Sequence, residues 1–106
     1  MSLADYQEQV DKALDRHAKR YWDPLSQLAY LTEELGEISR IMNNRHGDKP
    51  KKPGEHHDPL EDELADLIFG IICIANRAGL SLDDAMDKTI AKVNGRDRDR
   101  FKKKSE

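Results

Sequence analysis

Glu33, Glu34 and Glu37 stand together in LTEELGEISR at 31–40, and Glu63 and Asp66 follow in EDELAD at 61–66. On a helix, residues three apart rise from neighbouring turns of one flank. Glu34 with Glu37, and Glu63 with Asp66, therefore make two acidic pairs. If their helices pack antiparallel, the pairs face each other. Carboxylates sharing a cleft repel, so either they splay into water or a cation lies among them. An all-oxygen donor set, without Cys or an ordered His set, suits Mg²⁺, with Mn²⁺ as a substitute. Spacing alone does not choose, because a chain with 37% charged residues also carries acids as plain solvated helix faces.

The elements that must position these acids are legible as four helices, and no stretch of useful length alternates with the period of a strand. The first is expected from Ala4 to His17 or beyond, with Tyr6, Val10, Ala13 and Leu14 at helical spacing, before YWDPL at 21–25 breaks it. Asp23 and Pro24 open the second helix as N-cap and first residue. It is expected to run to about Met42, with Leu28, Leu31, Leu35, Ile38 and Met42 as its core-facing seam. Seventeen polar residues, 43–59, then form a long loop containing two glycines and three prolines. The third helix follows Pro59 to Arg77, with Gly79 as its stop. SLDD at 81–84 reads as a capping box for the fourth, which aligns Leu82, Ala85, Met86, Ile90 and Val93.

The third helix is apolar on every side from Leu67 to Ala75 and needs cover all round. Three companions in a 106-residue chain supply too little. Self-association is therefore expected, as a dimer or as a tetramer built from dimers.

The totals exclude several classes. Eighteen basic against twenty-one acidic residues leave no footprint for a nucleic acid polymer. One cysteine rules out a disulfide framework and suits a reducing compartment. LIFGIICIA at 67–75 falls well short of the ~18 apolar residues of a membrane span. No signal-peptide pattern opens the chain, so a cytoplasmic protein without membrane attachment is expected.

EELGE at 33–37 and, after 25 intervening residues, ELAD at 63–66 resemble the EExxE…ExxD signature of the MazG-like, all-α nucleoside triphosphate pyrophosphohydrolases. DPLSQLAYLTEELGE, GDKPKKP and KVNGRDRDR extend the likeness to the short single-domain type, over about Tyr21 to Phe101. The resemblance implies a MazG-like four-helix bundle over 1–101, followed by a basic tail at 102–106, and helices packed across a two-fold interface. It implies metal ligands at Glu34, Glu37, Glu63 and Asp66, and at Glu33 a residue that orients or deprotonates the attacking water, with Glu37 also in the catalytic set. The implied reaction is Mg²⁺-dependent hydrolysis of a nucleoside triphosphate to a monophosphate and pyrophosphate, as house-cleaning of non-standard nucleotides. Longer members carry two such domains, and any regulation that needs the second is not implied here.

A polyphosphate calls for cations as well. Lys92 and Arg96 share a helical face suited to phosphates, with Arg98 and Arg100 further candidates, and Asn94 offers a donor and an acceptor to a base or sugar. The plain alternative is a basic helix end that complements the dipole. Trp22 is a candidate for stacking on a base, or else a core residue. His46, His56 and His57 lack ligand spacing. Two other readings stand beside the leading one: phosphoribosyl-ATP pyrophosphohydrolase, and a non-catalytic helical dimerisation module.

Overall fold

Ser2 accepts a hydrogen bond from the Asp5 amide (3.0 Å) while the Asp5 carboxylate accepts one from the Ser2 amide (2.8 Å), a reciprocal cap that starts the first helix. The computed structural model describes residues 1–96, 99–101 and 104. Among them are four helices and no strand: α1 (Leu3–Leu14), α2 (Pro24–His46), α3 (Leu60–Ala78) and α4 (Leu82–Asn94). The all-α, four-helix expectation is met.

α1 stops at Leu14, short of the expected His17. The segment behind it folds back instead. Arg20 reaches the Asp11 carboxylate (2.6 Å) and carbonyl (3.1 Å), and the Tyr21 hydroxyl donates to the same carboxylate (2.5 Å). Asn76 on α3 donates to the Tyr21 hydroxyl (3.0 Å) and to the Gln7 carbonyl (2.9 Å), so one amide clips α1 and the reversed segment onto α3.

α2 and α3 make the largest packing interface, and their partners run in opposite order. Asp23 lies near Arg77, Tyr30 and Leu31 near Gly70, and Glu34 near Glu63 and Asp66. The hairpin is therefore antiparallel, as the acidic pairs require. Gly70 permits the close approach: a Cβ there would stand 2.6 Å from Leu31 Cδ2 and 2.8 Å from Tyr30 Cε1. α2 also runs to His46, past the expected Met42. Its last turn is held from outside, because Asn44 meets Glu55 (2.8 Å) and His57 (2.6 Å) from the returning loop.

The seam of α2 differs from the one expected. Leu28, Leu35 and Met42 remain exposed, while Gln27 and Ile41 are buried and Tyr30, Leu31, Glu34 and Ile38 are partly covered. The apolar stripe is wider than one partner helix can cover, and α3 takes the flank that carries the polar residues. Exposed apolar side chains also recur at helical spacing on α3 (Leu64, Ile68, Ile71) and on α4 (Met86, Ile90, Val93). α4 leaves α3 at 112° and packs on α1, not on the hairpin. No single helix among the described residues is long and apolar enough to cross a membrane.

Candidate active site

Tyr30, Leu31 and Glu34 share the face of α2 that meets α3, so packing the hairpin aims Glu34 at the first turns of α3. There Glu63 and Asp66 stand one turn apart. One carboxylate oxygen from each of Glu34, Glu63 and Asp66 lies within 4.8 Å of the other two. Glu63 is buried, Glu34 partly so, and Asp66 is open to solvent. Glu34 Oε2 is buried with no hydrogen-bond partner among the described residues. A buried anionic oxygen in that position calls for a donor or a positive charge, which a proton, a water or a cation can supply. The hard oxygen donors around it fit Mg²⁺ or Mn²⁺.

A proton supplies part of that need when no ion is bound. Hydrogen bonding to Glu34, burial, and then the charges of Glu34, Asp58 and Asp66 push Glu63 from about 4.5 up to about 7. The folded chain thus holds this proton more tightly than the unfolded chain does. The stability that it contributes is fully present below about pH 4.5 and is lost as pH rises through about 7. In chelator, the melting temperature should fall across that interval, and Glu63→Gln should flatten the fall. An unchanged slope in the variant would place the titration elsewhere.

The structure brings together three of the four acids expected to bind metal. Glu37 lies one turn further along α2, and its carboxylate is 3.9 Å from the Arg40 guanidinium, outside the group of three. Glu33 is exposed on the neighbouring flank. Lys92 and Asn94 lie at the exposed end of α4 and Arg96 just beyond it, on a helix whose main packing partner is α1. Asp97, Arg98, Lys102, Lys103, Ser105 and Glu106 lie outside the described residues, and with them most of the basic tail.

Tyr30 joins the acids to a cavity of about 310 Å³. Its hydroxyl donates to the Asp66 carbonyl (3.3 Å). Burial, and then the charges of Glu34 and Asp66, raise that hydroxyl to about 12, so it stays protonated and able to donate. Its ring lines the cavity with Trp22 and Phe69, and Trp22 meets Tyr30 edge to face at 6.3 Å and 86°. Trp22 is therefore at a cavity wall, more than half exposed, rather than in the core. Gln27 and Cys73 complete the inner wall. The sequence signal for Gln27 and Tyr30 was their register with Glu34, seven and four residues before it on one helix.

The family model of the MazG nucleotide pyrophosphohydrolase domain matches residues 23–101. Bacillus subtilis YpjD is 41% identical over 105 residues, covering 99% of this chain and 95% of that protein. YvdC of the same organism is 28% identical over 92 residues, covering 81% and 87%. The crystal structure of B. subtilis YpjD superposes with a TM-score of 0.78 at 39% identity, covering 89% of this chain and 96% of that one. That of the Bacillus-conserved MazG protein, a nucleotide pyrophosphohydrolase, gives 0.75 at 33%, covering 93% and 96%. With its paired acids on an antiparallel hairpin and these matches along most of its length, the chain belongs to the MazG nucleotide pyrophosphohydrolase family.

Proposed function

We propose that the protein hydrolyses nucleoside triphosphates between the α- and β-phosphates, in Mg²⁺, to a nucleoside monophosphate and pyrophosphate, and that it removes non-standard nucleotides. The observation that carries this is the convergence of Glu34, Glu63 and Asp66 within 4.8 Å around a buried, unpartnered carboxylate oxygen, in a chain of this family. Glu34, Glu63 and Asp66 would hold the ion, with Glu37 joining from the next turn once it leaves Arg40. A bound divalent ion supplies positive charge against the phosphate oxygens.

The chain's own residues supply the rest. Glu33 orients the attacking water or takes its proton as the new bond to the α-phosphorus forms; the bridging oxygen leaves with pyrophosphate. Tyr30 holds the backbone at Asp66, and the aromatic cavity beside it takes the base, with Trp22 at its wall. Positioning and charge stabilisation do most of the work in such transfers.

Lys92, Asn94 and Arg96 would meet the polyphosphate from a second copy. The accessible surface is 8352 Å², against about 6,000 Å² expected for a folded monomer of this mass. The radius of gyration is 17.7 Å, where about 13 Å is usual for this length. The surplus area is of the size that a permanent homodimer buries. In that assembly, the exposed stripe of α4 covers the open flanks of a partner's α2 and α3 and brings its basic end over the partner's acids.

A panel of ribo- and deoxyribonucleoside triphosphates, modified nucleotides and phosphoribosyl-ATP, read as monophosphate and pyrophosphate, tests the reaction. Paired release of both products that stops in chelator is expected. Orthophosphate release, or turnover of phosphoribosyl-ATP alone, would contradict it.

A further inference from the structure

The inner wall of the cavity beside Tyr30 carries a mostly buried polar side chain, Gln27. Gln27 is only 5% exposed as a residue and makes no side-chain hydrogen bond among the described residues. Its amide is not fully buried and so keeps access to the open space. An amide that faces open space at a cavity wall without a protein partner is free to hydrogen-bond whatever enters. Gln27 lines the aromatic cavity and also a smaller adjoining one of about 150 Å³, so its surroundings include open space rather than packed core. Of the other polar side chains at this cavity, Arg20 is engaged with Asp11 and Asp15, Lys19 with Asp23, and the Tyr30 hydroxyl with the Asp66 carbonyl, while His17 stands at the wall with no ion pair among the described residues.

Position adds a second constraint. Gln27 and Glu34 lie seven residues apart, so two helical turns, about 10 Å, separate them along α2. That is the scale of a nucleoside from the edge of its base to its α-phosphate. Trp22, Tyr30 and Phe69 supply flat apolar surface in the same cavity wall as Gln27, and Tyr30 lies between Gln27 and Glu34 along α2. A cavity of about 310 Å³ is at the small end for ligand sites, with room for a base but not for a whole triphosphate.

We infer that Gln27 is the base-reading residue of this site, hydrogen-bonding the Watson–Crick edge of the nucleotide whose phosphates meet Glu34, Glu63 and Asp66. This rests on the pyrophosphohydrolase reading above. An amide sets a donor beside an acceptor, and each common base does the same along that edge. By turning over, the amide matches either order. Gln27 therefore registers that a base is present and admits both amino bases (cytosine, adenine) and keto bases (uracil, thymine, guanine).

The test compares wild type, Gln27→Met and Gln27→Glu on four nucleoside triphosphates and on ribose 5-triphosphate, which has no base. Thermal unfolding confirms that each variant is folded. Methionine keeps the volume and removes both hydrogen bonds. It should lower kcat/KM for every nucleotide by about tenfold to a hundredfold, and change that for ribose 5-triphosphate less than about twofold. A carboxylate only accepts, so Gln27→Glu should favour guanine, which alone sets two donors side by side on that edge, over the other bases by about tenfold or more relative to wild type. A purely structural role would lower all substrates together. Folded variants that keep the wild-type ratios among these substrates would overturn the assignment of Gln27. A wild type inert toward every nucleotide would instead overturn the enzymatic reading, and the base-reading role with it.

Discussion

Asp66→Asn is expected to abolish most turnover, lowering kcat/KM by about a hundredfold to a thousandfold, while the ion-free protein becomes no less stable. The loss follows from removing one charged oxygen donor from an ion that offsets charge on the phosphates, an effect worth several kcal/mol of barrier. The gain follows from the same geometry. Asp66 is solvent-exposed, so the substitution opens no cavity, and it removes a negative charge within 4.8 Å of two others. Glu34→Gln should act alike on turnover. Glu37→Gln separates two roles for that residue. A ligand that joins when the ion binds would lose affinity for Mg²⁺, whereas a residue acting on water would lower kcat at unchanged Mg²⁺ affinity. Kinetics over a Mg²⁺ series, with melting curves in chelator, read all three variants. Full turnover in Asp66→Asn would remove that residue from the site.

Ile90→Asp is the second large effect. Ile90 sits mid-stripe on α4, 52% exposed in the single chain, between Met86 and Val93. If that stripe covers a partner, a carboxylate there is buried unpaired, at a cost large enough to weaken association by about a thousandfold or more. By sedimentation, wild type should have at least twice the chain mass of 12.2 kDa, and the variant should fall toward 12.2 kDa. Turnover should fall with the mass, because Lys92 and Arg96 then no longer reach another copy's acids. A wild type that sediments at 12.2 kDa, fully active, would contradict the assembly and the placement of those residues together.

Much of this was legible in the chain because its punctuation is local. Asp23–Pro24, Pro59, Gly79 and Ser81 bracket α2, α3 and α4 where the structure has them, since caps and stops act within a turn of themselves. The end of α1 was not legible: it is set by Arg20, Tyr21 and Asn76, contacts that bridge up to 55 residues. The seam of α2 was misassigned for a physical reason. Leu28, Leu35 and Met42 outscore Gln27 and Glu34 in hydropathy, yet α3 packs on the side of Gln27, Tyr30 and Glu34, where Gly70 lets the two helices approach closely. The leucine flank is left open in the single chain.

The acids followed the same division. Glu34, Glu63 and Asp66 meet because i, i+3 spacing and an antiparallel hairpin suffice to bring them together. Glu37 stands one turn further on beside Arg40, and Lys92 and Asn94 sit on a helix that leaves the hairpin, so spacing alone did not place them with the three acids. Gln27 has no motif. Beyond its register with Glu34, its place in the cavity wall singles it out.

The most direct measurement is a crystal grown in Mn²⁺ and examined at the manganese absorption edge. The account predicts an anomalous peak bounded by carboxylate oxygens of Glu34, Glu63 and Asp66, and its loss in Glu34→Gln. Those three side chains turned apart with ordered water between them, at manganese concentrations that support turnover, would contradict it.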